Sequence, residues 1–129
     1  MSINQYEENR ILSASPAELV RILYDAALRA VDAARVHLRD GDIASRSREI
    51  SKAQMILVEL SNSVDCEKAG EIGKRIVGLY DYMLNRLVEA HVEQQDAPLA
   101  EISRLLTILQ EGWIDVEVSA AAVPMLAAR

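Results

Sequence analysis

The sequence predicts an all-α protein: an antiparallel up-down four-helix bundle over residues 16–118, with a short N-terminal strap (1–15) and a flexible, disordered C-terminal tail (119–129). Three observations lead there. Half of the 129 residues are apolar, yet there is no Phe, one Trp and three Pro, so the core must be aliphatic, as suits a helix bundle. Apolar residues recur at spacings of three and four over four long stretches. Short polar connections separate those stretches, and short connections favour antiparallel neighbours.

The first helix opens in "SASPAELV". Ser15 caps it, Pro16 occupies a first-turn position whose missing N–H costs nothing, and Glu18 completes a Ser-x-x-Glu box. Leu19, Leu23, Ala26, Ala30, Ala34 and Leu38 then form the predicted stripe, and "RDGDI" ends the helix near Asp40 with Gly41 as stop and Asp42 as the next cap. The second helix starts polar at "ASRSRE", turns apolar at Ile50, Ala53, Leu57, Leu60 and Val64, and ends near "SNSVD". Asp65 caps a third helix over Glu67 to Glu93, with Ile72, Ile76, Leu79, Tyr80, Met83, Leu87 and Ala90 on one face. Pro98 opens the fourth, whose stripe is Leu99, Ile102, Leu105, Leu106, Leu109, Trp113 and Val116. At about 1.5 Å per residue such helices make a bundle roughly 30–40 Å long, with long grooves between helices.

Charge and composition exclude several function classes. A net charge of -6 disfavours nucleic acid, whose phosphates need clustered Lys and Arg. The start "MSINQYEENR" has no apolar signal-peptide core, and no apolar run reaches membrane-spanning length, so the expectation is a cytoplasmic protein without membrane insertion. The single cysteine, Cys66, has no internal disulfide partner, which fits a reducing compartment.

No catalytic set, cofactor site or metal site emerges. The two histidines, His37 and His91, lack the Glu-x-x-His spacing of a bundle metal site. A histidine phosphotransfer bundle using one of them is the competing function class. "GEIGKR" (70–75) approximates a phosphate loop but has Lys68 where the first Gly belongs and Arg75 where Ser or Thr would bind magnesium. Inside a helix, Gly70, Gly73 and Gly78 each cost about 1 kcal/mol relative to Ala, which points to close approach by another backbone. Serines lack a Gly-x-Ser-x-Gly elbow, and an enzyme is not expected.

Surplus apolar surface is the informative feature. "AQMILVEL" puts Met55, Ile56, Leu57 and Val58 in succession, more than one buried stripe can use. Val77, Leu84 and Val88 lie beside the third helix's stripe, and Ile108 and Ile114 beside the fourth's. Such residues either widen the core or line exposed grooves; their recurrence on three helices favours grooves that receive another helix. In the strap, Ile3 and Tyr6 stand three apart ahead of Ile11 and Leu12, either as a frayed end or as a segment that folds back onto a groove.

The pieces "SASPAEL", "LYDAA", "GD", "SKA", "EKAGEI" and "LYDYMLNRLVEA", in this order from about Tyr6 to Trp113, resemble the flagellin export chaperones of the FliS family. Two positions depart from the family pattern, Ala26 and Ala69 each standing where Gly is usual. The resemblance implies a four-helix bundle that binds the C-terminal segment of new flagellin in the cytoplasm, covers the surface that would drive polymerisation, and keeps the subunit ready for flagellar export. It further implies that the N-terminal segment, here Ile3 and Tyr6, occupies the groove in the free protein and contributes to docking at the export gate, with other flagellar regulators as further partners and homodimerisation of the free form left open. For the client groove the surplus hydrophobicity selects Met55, Ile56, Val58, Val77, Leu84, Val88 and Ile108.

The two Tyr-Asp pairs, Tyr24-Asp25 and Tyr80-Asp81, share no wider repeat. They read as scaffold: each ring lies on aliphatic neighbours with its hydroxyl at a polar boundary, and Asp25 pairs with Arg21 or Arg29.

Overall fold

The computed structural model describes residues 5, 9 and 15–118. Four helices fill that span: α1 (Pro16–Asp40), α2 (Ile43–Asn62), α3 (Cys66–Glu93) and α4 (Asp96–Val118). They form one ring. α1 packs on α2 and α4, and α3 packs on the same two, so α1 and α3 face each other across the core diagonal.

The caps act largely as the sequence implies. The Ser15 hydroxyl accepts the Glu18 N–H at 3.2 Å, satisfying one orphan donor of α1. At the other end Gly41 adopts φ +74° and the Asp42 N–H reaches the His37 carbonyl at 2.9 Å, closing α1 with a left-handed turn. Asp42 then accepts from the Ser45 N–H (3.1 Å) to start α2, and Asp65 from Glu67 and Lys68 (3.1 and 3.2 Å) to start α3. α4 begins two residues ahead of the expected Pro98, at Asp96. Proline is tolerated within a first turn, where the N–H has no intrahelical acceptor, and Arg35 of α1 grips the Asp96 carboxylate through Nε and Nη2 at 2.8 and 3.0 Å.

The core joins Val20, Tyr24, Ala27, Val31 and Ala34 of α1 to Ile50, Ala53, Leu57 and Leu60 of α2, Tyr80, Met83, Leu87 and Ala90 of α3, and Leu99, Ile102 and Leu106 of α4. The predicted stripes of α2 and α4 hold over their described side chains, those of Trp113 and Val116 lying outside them. Of the predicted α1 stripe, Ala30 and Ala34 are buried as expected, but the rest of the face is turned by about one residue: Val20, Tyr24, Ala27 and Val31 are sealed, whereas Leu19, Leu23, Ala26 and Leu38 are only partly buried. Tyr24 explains the turn. Its hydroxyl finds a partner inside the bundle, so a residue assigned to a polar boundary goes to the centre.

That partner is Tyr80. The two hydroxyls meet at 2.5 Å across the α1–α3 diagonal, with ring centroids 6.5 Å apart. Neither phenol sits at a polar boundary as the sequence suggested: both are buried. Burial, reinforced by the neighbouring Tyr24, pushes the Tyr80 phenol well above its ordinary pKa, so it keeps its proton. Tyr24→Phe should therefore strand the Tyr80 hydroxyl and cost about 1–3 kcal/mol, while the Tyr24→Phe/Tyr80→Phe double variant recovers part of that loss. Chemical denaturation of the two single variants and the double would show it, and strictly additive losses would refute the coupling.

The glycine run of α3 has a local cause. Gly70 breaks the helix with φ +61° and ψ -136°, a conformation open essentially to Gly alone. The turn before it folds back so closely that a Cβ on Gly73 would lie 2.7 Å from the Ala69 Cβ and 3.2 Å from Val64 Cγ1. The approaching atoms belong to the first turn of α3 itself and to Val64 in the α2–α3 connection, not to another helix or a partner, and Gly78 faces open space. The break also corrects the placement of Ile72, assigned to the core stripe but 60% exposed. It lies in the first turn after Gly70, beyond the end of the core layer formed by Tyr80, Met83, Leu87 and Ala90.

Candidate functional site

Polar contacts orient each helix around the ring. On α3, Tyr82 Oη donates to Glu101 Oε1 at 2.8 Å and Arg86 Nε donates to the same oxygen at 2.8 Å, so this flank faces α4. On α1, Asp32 accepts from Ser103 at 3.0 Å and Arg35 pairs with Asp96, so that flank faces the other side of α4. With 3.6 residues per turn, the opposite flank of α3, carrying Val77, Leu84, Val88 and His91, must face α2. The same sense of rotation puts Gln54 and Val58 on the α3 side of α2 and Ile56 on its α1 side.

This geometry sorts the candidate groove residues. Val58, Val77, Leu84 and Val88 share the α2–α3 seam. Val58 and Val88 are exposed, Leu84 packs partly against the core, and Val77 is half-buried. Met55, 71% exposed, points straight out from α2. Ile56 packs against the core from the α1 side. Ile108, 62% exposed, lies on α4 toward α3 and apart from the seam. Ile3 and Tyr6 of the strap, and all of the tail 119–129, lie outside the described residues.

The seams differ in chemistry. The surface bridges named above all end on α4, and Arg86 adds Glu89 at 2.6 Å. Hydrogen bonds from Tyr82 and then Arg86 hold the Glu101 carboxyl below its ordinary pKa, the Arg35 bond does the same for Asp96, and the bond to Glu101 pushes the Tyr82 phenol up. Such exposed pairs fix register more than they stabilise. The α2–α3 seam is bordered by aliphatic side chains, which leaves apolar area available to a partner. On α1, Asp25 pairs with Arg29 at 3.2 Å.

Among the described residues no group of three His, Cys, Asp or Glu side chains could hold a metal ion, and no helix is long and apolar enough to cross a membrane. "GEIGKR" lies in α3 across the Gly70 break and does not follow a strand. His91 buries its Nδ1 without a hydrogen-bond partner.

The family model for the flagellar protein FliS matches residues 1–120. The chain belongs to the FliS family. The flagellar secretion chaperone FliS of Salmonella typhimurium is 35% identical over 115 residues, covering 88% of this chain and 85% of that protein. The Campylobacter jejuni chaperone is 31% identical over 116 residues (90% and 91%), and that of Bacillus subtilis 29% over 108 residues (84% and 80%). Membership accounts for the all-α bundle and assigns the chain to flagellar secretion chaperones.

Two polar features escaped the sequence reading. The Tyr82–Glu101–Arg86 network joins residues far apart in sequence, and no local pattern announces it. Arg46 did leave a signal: it stands four residues before Ile50, in phase with Ala53, Leu57 and Leu60, and it is buried with them.

Proposed function

We propose that this FliS-family protein is a cytoplasmic export chaperone that holds the C-terminal segment of flagellin on apolar surface around the α2–α3 seam. The observation that carries this is the aliphatic surface left exposed at Met55, Val58, Val88 and Ile108 on an acidic protein, in a family whose named relatives are flagellar secretion chaperones. A client segment with an amphipathic face would pair with other flagellins. The seam offers substitute apolar area, and its burial offsets the entropy lost as the segment orders. The action is stoichiometric binding without a catalytic step: it prevents premature polymerisation and keeps the subunit competent for export.

Within this scheme Ile3 and Tyr6 cover the seam in the free protein and engage the export gate once the client displaces them; self-association of the free form would use the same apolar surface. Titration calorimetry with a flagellin C-terminal peptide should give a one-to-one complex whose binding heat becomes more exothermic with temperature, the signature of apolar burial. Absence of heat at several temperatures would remove the client assignment. Acid-labile phosphate on His37 or His91, abolished by His→Ala, would favour the phosphotransfer alternative instead.

A further inference from the structure

The second turn of α2 places a cation where the core pattern calls for an aliphatic side chain. Arg46 is 3% exposed. Its Nε is sealed from solvent and has no hydrogen-bond partner, and no carboxylate pairs with it among the described residues. Asp42, one turn earlier, is committed to the Ser45 N–H that starts the helix. The two Nη atoms are not among the sealed, unpartnered polar atoms, so the little exposure the residue keeps is compatible with contact at the fork end of the guanidinium.

A second orphan lies at the same end of the bundle. His91 stands two residues before the end of α3 and seven after Leu84, hence on the α2-facing side, and its Nδ1 is buried without a partner. Arg46 stands three residues after the start of α2, so both orphans lie where α2 begins and α3 ends. The carboxyl ends of α1 and α3 and the amino ends of α2 and α4 all meet here, so the helix dipoles oppose one another and do not compensate the charge. The guanidinium's hydrogen-bonding fork is left unfilled. Planar two-point recognition of a carboxylate is what that fork does best.

We propose that Arg46 receives a carboxylate of the bound peptide at the open end of the α2–α3 seam, with His91 as the second group lining the site. This rests on the flagellin assignment and adds to it a charged anchor that sets the direction and register of the client along a largely aliphatic seam. The carboxylate comes from an acidic side chain or from the peptide's own C-terminus. A phosphorylated group, doubly charged, is disfavoured by the protein's net charge of -6.

The test measures binding of three versions of a flagellin C-terminal peptide to the full chain by calorimetry: the free acid, the C-terminal amide, and the free acid with its Asp and Glu side chains replaced by Asn and Gln. Wild-type protein should bind one of the two modified peptides at least tenfold more weakly than the parent, which identifies the source of the carboxylate. Arg46→Met should melt higher than wild type, because an unpaired buried charge is replaced by an apolar side chain of similar length. It should nonetheless lose at least tenfold in affinity for the parent peptide, and lose nothing further for the version lacking the critical carboxylate. Arg46→Lys should recover part of the loss. Equal binding of all three peptides by wild type overturns the proposal whether or not the variants fold, as does an equal loss in Arg46→Met toward all three. If wild type binds none of them, the flagellin assignment fails and this site falls with it.

Discussion

Leu87→Ala is expected to lower stability by about 2–5 kcal/mol, the range for a large-to-small change at a sealed aliphatic site. Leu87 is fully buried in the layer of α3 that includes Tyr80 and Met83. The size of the effect follows from packing: Leu87 belongs to the sealed core that includes Tyr24, Tyr80 and Met83, and a ring of four packed helices closes only partly over a missing isopropyl group. At roughly 3–5 °C per kcal/mol for a domain of this size, the melting temperature should fall by about 6–25 °C. Leu87→Met, which nearly conserves volume, should cost less than about 1.5 kcal/mol. Val88→Ala, one residue on but exposed, should stay within about 0.5 kcal/mol. Thermal melts followed by circular dichroism would check all three, and a Val88→Ala loss as large as that of Leu87→Ala would mean that the face of α3 has been misassigned.

The fold was legible because its signals are local. Ser15, Asp42 and Asp65 cap the helices the sequence assigns to them, and the spacing of Ile50, Ala53, Leu57 and Leu60 is that of the buried face. What periodicity could not show depends on pairing across the bundle. Tyr24 and Tyr80 are separated by 56 residues, and nothing in either neighbourhood says that their hydroxyls meet, so local pattern alone assigns each to a boundary. Ile72 lies in phase with the α3 core stripe, but it stands two turns short of Tyr80, where the sealed layer begins, and next to the break at Gly70. The candidate seam was legible only as a surplus of aliphatic residues. Counting Met55, Ile56, Leu57 and Val58 shows that one stripe cannot absorb them all; assigning Leu57 inward, Ile56 toward α1 and Val58 toward α3 requires the neighbours, which only the folded ring supplies.

That assignment makes the client-binding site a question of direction. If flagellin lies along the α2–α3 seam, Val58→Asp and Val88→Asp should each weaken binding of a flagellin C-terminal peptide by tenfold or more, because a carboxylate left dry against an apolar client face costs more than the about 1.4 kcal/mol that a factor of ten represents. Both residues are exposed in the free protein, so the helical signal and melting temperature should change little. Leu84→Asp is a poorer probe: Leu84 packs partly against the core, and its loss of binding would be mixed with loss of fold. Met55→Asp, on the outward face of α2, reports how far the client wraps beyond the seam. An effect equal to that of Val58→Asp would mean a peptide crossing the back of α2, whereas a small effect would confine it to the groove. Val36→Asp, on the exposed surface of α1, is the control and should bind as wild type. Wild-type affinity in both Val58→Asp and Val88→Asp, with loss in Ile108→Asp, would move the site to the α3–α4 side, where Tyr82, Arg86 and Glu101 already tie the helices together.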